Sequence, residues 1–341
     1  MSAPSETVRI AIAGASSLRG KELKLLIEES DFPAGEIRLL DEELAAGILT
    51  EAGGEPAVIE KVDQDSFERV RFAFFAGSPA FSMRHVAEAR REGATVIDLS
   101  GGTPEGSDAM LWIPALDSIL PSLKAGPVRG EPRSFFVAPS APADASISLS
   151  AALAPLGLER LVLTFFQPAS ERGRAAIDEL ESQVVKLLTF EPIPQVVYDA
   201  QVGFNMLSRY GEQSQEKLAA ARAGIVGEVK AYLTGRSLMP AIALVQAPVF
   251  HSHAFTAYAE FKMVVALESI TASMETAGLK VAAADDPPPT NVTVAGESRP
   301  VLGRPERDTE IETGVWLWGA ADNLRVPAAN ALAIAEKLLA S

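Results

Sequence analysis

Two kinds of residue in this 341-residue chain have the types and spacing for chemistry: glycines that bring backbone close to a phosphate, and histidines that can move a proton. The glycines stand in Gly14-Ala15-Ser16-Ser17-Leu18-Arg19-Gly20, directly after the apolar run 8–13 and before 17–30, where Leu18, Leu23, Leu26 and Ile27 recur at helical spacing. A dinucleotide fingerprint needs glycine for the tight turn, for close approach to pyrophosphate and for helix–strand packing. The first and last are present, and Ser17 takes the middle place. Its Cβ and hydroxyl crowd the pyrophosphate, but the helix start still offers free N–H groups and a positive dipole end. Gly14, Ser16, Ser17 and Leu18 are therefore cofactor-binding candidates. Asp41-Glu42-Glu43 follows the second strand candidate, where a carboxylate holds a ribose 2′-hydroxyl and repels a 2′-phosphate. That favours NAD over NADP; a solvated acidic turn is the other reading.

The remaining chemistry is bounded by what is missing. The chain has no cysteine, which excludes thiolate catalysis, cysteine-ligated zinc and iron–sulfur clusters together. It has three histidines, His85, His251 and His253. His251 and His253 stand two apart and so share one face of any strand that contains both, but two ligands are too few for a metal site, and none is expected. The formal charge of −15 opposes nucleic acid and anionic lipid, and no basic run offsets it. The apolar stretch 8–13 is too short for a signal-peptide core or a membrane span, so the expected address is the cytoplasm.

These residues need a scaffold, and the apolar patterning outlines one. Strand candidates at 8–13, 37–40, 57–59, 72–75 and 94–97, with helices at 17–30 and 82–92, alternate as in an α/β protein with a parallel sheet. The stretch 121–134, rich in Pro, Gly and charge, reads as a connection to the strand 135–137. Beyond Pro139 the alternation breaks: helix 143–154, strand 160–166, helix 174–188 and strands 241–250 and 254–267 indicate an α+β second domain. Segments 283–289 and 296–305 read as loops, and 326–340, opened by Pro327, as a closing helix.

Several segments, in order, resemble the aspartate-semialdehyde dehydrogenases: the turn Gly14 to Gly20 with Glu22-Leu23 and Phe32-Pro33, the loop Phe75-Ala76-Gly77-Ser78, Val96-Ile97-Asp98-Leu99-Ser100, and the tail Trp318-Gly319-Ala320-Ala321-Asp322-Asn323-Leu324-Arg325. The resemblance implies a Rossmann-like parallel-sheet domain over 1–138, completed by the C-terminal helix in 322–341, and an α+β catalytic and dimerisation domain over 139–321. It implies a homodimer. It also implies an NADP- and phosphate-dependent interconversion of aspartate semialdehyde and aspartyl phosphate through a cysteine thiolate at the start of a helix. It adds Ala76, Gly77 and Asn323 to the cofactor candidates.

Residue by residue, the implied active site is altered. The nucleophile place in Ala138-Pro139-Ser140-Ala141 is Ala141. Ser140 has two readings, a substitute nucleophile or an ordinary N-cap before Pro142. His253 matches the acid/base histidine and stays open between that role and a structural one, while Gln246 takes the place of the arginine that clamps a substrate carboxylate. Glutamine cannot supply a charge-assisted bidentate clamp. Gln167 matches the residue that orients the acyl group, but Glu171 and Arg172 fill the glycine-rich part of its motif. In the loop after Ser100, itself a substrate-site candidate, Pro104 replaces a phosphate-binding arginine, and Lys230 matches a phosphate-binding lysine whose glutamate is replaced by Gly227. Cysteine-less relatives of the family are the Usg-type proteins, which this chain resembles. The expectation is a dimer noncatalytic for the family reaction that still binds a dinucleotide. Two alternatives stand beside it, a repurposed nicotinamide oxidoreductase with His253 as acid/base and residual family activity. The sequence names no substrate.

Overall fold

The computed structural model describes residues 7–101, 107–120, 134–283 and 285–340. Pro104 and most of the 121–134 connection lie outside the described residues. The chain divides into two compact units, one of Met1–Pro114, Pro121–Pro139 and Pro327–Ser341, the other of Ala115–Leu120 and Ser140–Val326.

The first unit follows the chain through β1 (Val8–Ala13), α1 (Leu18–Glu29), β2 (Ala34–Asp41), β3 (Leu49–Ala52), β4 (Glu55–Val58), β5 (Glu60–Lys61), β6 (Phe72–Phe75), α2 (Pro79–Arg91), β7 (Thr95–Asp98), β8 (Met110–Leu111) and β9 (Phe135–Val137). Seven of these strands form one sheet in the order β5-β2-β1-β6-β7-β9-β8, every neighbouring pair parallel. Parallel strands covered on both faces read as unbroken apolar runs, and Phe72–Phe75 is buried at every position. The chain leaves β1 toward β2 on one side and returns to β6 on the other, so the strand order reverses between β1 and β6. Ligands of open α/β sheets bind at the carboxyl ends of the strands at such a reversal. Ile10, Ile12, Phe72, Phe74 and Ile97 share a core with Ala328, Ala331, Leu332, Ile334 and Ala335 of α7 (Arg325–Leu339), and Asn330 Nδ2 donates to Trp112 O at 2.7 Å.

The second unit contains α3 (Ala141–Leu153), β10 (Leu158–Gln167), α4 (Arg174–Leu188), α5 (Leu218–Leu233), β11 (Ala241–Gln246), β12 (His253–Phe261), α6 (Leu267–Thr276), β13 (Lys280–Val281), β14 (Val301–Leu302), β15 (Glu306–Arg307) and β16 (Gly314–Ala321). Its sheet is mixed: β10 pairs parallel with β11 and antiparallel with β12, and β12 pairs antiparallel with β16. α3 packs on β10 and β16 and is buried at every residue, which its Ala- and Ser-rich surface permits. On the other face of the sheet, Thr164, Phe166, Thr256 and Tyr258 are half-buried, and Trp316 and Trp318 are 45% and 40% exposed.

Four expectations need correction. The strand at 57–59 joins a separate β3–β4 hairpin instead of the parallel sheet, because Gly53 and Gly54, both at positive φ, turn the chain back on itself. The strand expected over 241–250 ends at Gln246, two residues before Pro248. The one expected over 254–267 ends at Phe261, and Leu267 instead opens α6, which the patterning had not separated from the strand before it. Within the loop expected over 296–305, Val301–Leu302 forms β14 by pairing with β16.

Gly14 gives the first testable consequence. It has φ +91°, and a Cβ there would meet Gly77 N at 2.2 Å, whereas at Gly47, with φ +85°, a Cβ meets nothing within 4 Å. Gly14→Ala is expected to lower unfolding free energy by about 2–4 kcal/mol, and Gly47→Ala by only about 1 kcal/mol, the strain part alone. Urea unfolding measures both, and equal losses would show that the overlap with Gly77 is relieved at no cost.

Candidate functional site

In the first unit, the turn after β1 is held by its own backbone and by Ser17. Gly14 N–H donates to Leu40 O at 2.7 Å, and Ser17 caps α1, its Oγ accepting from Gly20 N at 2.9 Å and donating to Ala76 O at 2.8 Å. The hydroxyl that the sequence places against a pyrophosphate is thus spent on joining the β1 turn to the β6 turn. A Cβ at Gly20 would meet Gly14 O at 2.3 Å, which accounts for the last glycine by helix–strand packing. Leu18 N–H stands in the first turn of α1, where backbone donors have no intrahelical partner. Ser78 caps α2 through Phe81 N, so a second helix start, beside Ala76 and Gly77, opens at the same end of the sheet. These features fit a pyrophosphate, which Leu18 N–H and the two helix ends would hold.

Asp41 ends β2 and is 8% exposed. Its Oδ2 accepts from Ser16 N at 2.7 Å and its Oδ1 from Glu42 N at 2.8 Å, which leaves lone pairs on each oxygen for a ribose hydroxyl. Glu42 and Glu43 pair with Arg84 and Lys61, so the cations beside Asp41 are already matched. At the end of β7, Ser100 is buried and donates through Oγ to Asp98 Oδ1 at 2.7 Å.

In the second unit, Ala141 is the first residue of α3 and is 1% exposed, packed against Ala321 and Val326. Ser140 stands at the N-cap position but makes no capping bond. Its Oγ donates instead to Glu228 Oε2 at 2.5 Å, with its N–H 3.3 Å from the same oxygen. The N-cap expectation is corrected accordingly: the positive end of α3 meets a carboxylate from α5, a stronger partner than a serine hydroxyl. Glu228 is a site residue that the sequence reading missed; the carboxylate absent at Gly227 is present one residue later. Lys230 lies on the same helix and is exposed.

Gln167 and Gln246 end the paired strands β10 and β11 and are opposite one another in register. Both are buried, and a third residue, Tyr210, links them: its hydroxyl accepts from Gln167 Nε2 at 2.9 Å and donates to Gln246 Oε1 at 2.7 Å. Gln246 Nε2 donates to Gln167 O at 2.9 Å and Ala247 O at 3.0 Å. Burial pushes the Tyr210 phenol well above its ordinary pKa, against the pull of Arg172, so it stays a donor. The Arg172 guanidinium lies 4.8 Å above the Tyr210 ring and 5.3 Å from that of Tyr198. Where the resemblance places a guanidinium clamp, this chain has a closed neutral network.

His253 opens β12 with its ring wholly buried, and Glu171 Oε2 lies 3.5 Å from Nε2. Asn323 is buried: Oδ1 accepts from Ser252 N at 3.0 Å and Ser170 Oγ at 3.1 Å, and Nδ2 donates to Glu171 Oε2 at 3.0 Å. The structure places Asn323 beside His253 in the second unit; Gly14, Ser16, Ser17, Leu18, Asp41, Ala76 and Gly77 belong to the first. The shared strand face for His251 and His253 is corrected too. Ser252, at φ +64°, turns the chain between them, and His251 is exposed outside β12. Among the described residues no group of three or more His, Asp or Glu side chains is placed to hold a metal ion, and no helix is long and apolar enough to cross a membrane.

A parallel sheet with a nucleotide-type turn at its reversal point, joined in chain to a mixed-sheet unit with polar residues gathered at the start of a buried helix, is the scaffold of a two-domain dehydrogenase. Residues 9–118 match the semialdehyde dehydrogenase NAD-binding domain and residues 149–326 the semialdehyde dehydrogenase dimerisation domain, and the chain belongs to that family. It is 28% identical over 341 residues to the USG-1 protein homolog of Azotobacter vinelandii, covering 98% of each chain. It is 27% identical over 341 residues to aspartate-semialdehyde dehydrogenase 2 of Vibrio cholerae, again covering 98% of each. Among solved structures, a probable aspartate-semialdehyde dehydrogenase from Pseudomonas aeruginosa superimposes with a TM-score of 0.84 at 29% identity, over 98% of this chain and 99% of that one. Aspartate-semialdehyde dehydrogenase II from Vibrio cholerae gives 0.86 at 25% identity, with the same coverage. The NAD-binding domain implies a nicotinamide dinucleotide.

The closed network predicts the effect of restoring an arginine. Gln246→Arg would bury a second guanidinium near Arg172 and leave two main-chain carbonyls and Tyr210 to rearrange, so a stability loss of about 3–5 kcal/mol is expected in chemical unfolding. A loss below about 1 kcal/mol would show that the network opens readily to a charged side chain.

Proposed function

We propose that this chain is a Usg-like, homodimeric, dinucleotide-binding member of the family, cytoplasmic, that does not carry out the thiol-dependent reaction. The observation that carries this reading is Ala141, buried at the start of α3 in a chain without cysteine. Removing the nucleophile from a covalent mechanism costs on the order of a millionfold in rate, about 8 kcal/mol. Ser140, at the N-cap position with its hydroxyl donating to Glu228, is read as the anchor of that carboxylate and not as a replacement nucleophile. The neutral Gln167–Tyr210–Gln246 network supports the same reading, since an aspartyl carboxylate finds no cation at Gln246.

Gly14, Ser16, Ser17, Leu18, Ala76 and Gly77 are assigned to the dinucleotide, with Asp41 on the ribose. NAD is preferred to NADP, because a 2′-phosphate would approach Asp41, whose neighbouring cations are already paired. Saturating NAD is expected to raise the melting temperature by about 2–4 °C, NADP less, and Asp41→Asn to narrow the difference. Equal shifts for both cofactors in the wild type would remove Asp41 from the specificity argument.

In the catalytic assay, wild-type protein is expected to give no phosphate-dependent reduction of NAD or NADP by aspartate semialdehyde above the enzyme-free control. Turnover that Ala141→Cys leaves unchanged would overturn the noncatalytic reading.

The homodimer is assigned to the uncovered sheet face, where Thr256 lies between Thr164 and Trp318. Aromatic residues with a polar rim are the usual composition of such an interface, and here Trp316 and Trp318 line a groove of about 550 Å³ together with Arg304, Glu306 and Asp286. Thr256→Arg places a charge at the centre of this face and is expected to yield monomer by light scattering at micromolar concentration. A dimer of unchanged mass would move the interface elsewhere.

A second reading, direct hydride transfer to a carbonyl, is favoured by one observation alone: a buried histidine with a carboxylate beside it.

A further inference from the structure

The imidazole of His253 is 0% exposed, and neither Nδ1 nor Nε2 has a hydrogen-bond partner. A buried polar group left in that state costs about 1–3 kcal/mol, so its surroundings have to supply a reason for keeping it. Phe165 meets the ring edge-on, with centroids 6.1 Å apart and planes at 86°, which fixes it from β10. From the opposite direction, in the turn after β10, comes Glu171, whose Oε2 lies 3.5 Å from Nε2.

Glu171 is itself held. Asn323 Nδ2 donates to the same Oε2 at 3.0 Å, while Asn323 Oδ1 takes the N–H of Ser252, the residue immediately before His253. One amide therefore fixes both the carboxylate and the backbone from which the imidazole projects. The sequence context sharpens the point. Glu171 stands where the resembling motif is glycine-rich, and the chain that gains this carboxylate is the one that lacks a thiolate at residue 141. Ala141 packs on Ala321, and Ala321 is directly opposite His253 in the β12–β16 register. The methyl group thus lies on the histidine's side of the sheet, and the negative charge arrives from Glu171 instead.

We propose that Glu171 is the positioning residue for His253, its carboxylate standing beside Nε2 as the counter-ion to the imidazole's charged form. The site then retains a histidine–carboxylate pair, from which a proton could pass to a bound carbonyl, without a nucleophile. This rests on the second reading of function for its use, but not for its existence.

Charged residues on the neighbouring elements have partners of their own. On β12 and β10 its neighbours are Ala254 and Phe165, and on β16 Ala321. Arg172 lies over Tyr198 and Tyr210; Asp322 accepts from Leu324 N, Arg325 N and Gly296 N; Glu228 accepts from Ser140. Arg325 begins α7.

With three histidines in the chain, isotope-labelled imidazoles can be titrated one by one by NMR in the cofactor-free dimer, the His253 signal being assigned by its loss in His253→Gln. An anion within about 4–6 Å moves a titrating group by about 1–3 units, so Glu171→Gln is expected to lower the His253 pKa by at least about one unit. Glu171→Ala should lower it similarly and leave a cavity in which added formate restores the wild-type value. His85 and His251 should not move in either variant, which separates a local effect from unfolding. An unchanged His253 titration in both variants, or a His253 that stays neutral in the wild type down to about pH 5, well below the ordinary histidine value, would sink the proposal. Because no dinucleotide is present, a failure here is distinct from a failure of cofactor binding.

Discussion

The register of β12 against β16, with His253 opposite Ala321 and Thr256 opposite Trp318, decides at once what lies inside the second unit and what lies on its open face. Side chains alternate along a strand, so a slip of one residue would exchange the two sets. In the observed register, Phe255, Ala257, Ala259 and His253 turn inward, and Thr256 and Tyr258 turn outward beside two tryptophans. Residues just beyond the strand ends inherit this order. Asn323 follows β16 by two residues and meets Ser252, one residue before β12, so the amide that organises the histidine is delivered by the same pairing that builds the sheet.

Around that frame the polar groups sort by whether they are neutral or charged. Gln167, Tyr210 and Gln246 are buried and bonded to one another, which lets uncharged groups remain inside at small cost. Charges are treated differently. The start of α3 faces Glu228 through Ser140, and His253 faces Glu171. Both the helix start and the histidine are thus met by a carboxylate of the chain itself, in a protein whose formal charge is −15. An anionic nucleophile or an acyl phosphate would have to compete with these internal anions at short range, where screening by salt is weakest.

What the sequence made legible was the periodic and the punctuated. β6 and β9 were evident because four and three apolar residues in a row suit a fully covered strand, and α4 because its apolar residues recur at helical spacing. α5 was missed because Gly224 and Gly227 interrupt its surface and it has no capping side chain at Lys217, and its absence hid Glu228. Tyr210 was missed for another reason: it lies in a strap between helices with no regular spacing, fixed by Glu179 and Gln183 of α4 through main-chain bonds to residues 196–203. The roles of Ser140 and Glu171 depend on partners 88 and 152 residues away, and local pattern carries no information about such pairs.

The tail Asp322 to Arg325, the most specific part of the family resemblance, has a structural explanation that does not require activity. Asp322 Oδ1 accepts from Leu324 N and Arg325 N at the start of α7, and its Oδ2 accepts from Gly296 N, so this side chain both starts the last helix and pins a loop. Asn323 bonds Ser170, Ser252 and Glu171. Replacing either would leave buried or main-chain groups without partners whether or not a reaction occurs nearby. Ala141 is under no such constraint, since its methyl group has no hydrogen bond to lose and packs against Ala321 and Val326. A chain of this fold can therefore lose its nucleophile at little cost to stability while the tail pattern persists. For that reason the family is read from residues that hold the fold, and the proposal that its chemistry is absent rests on Ala141.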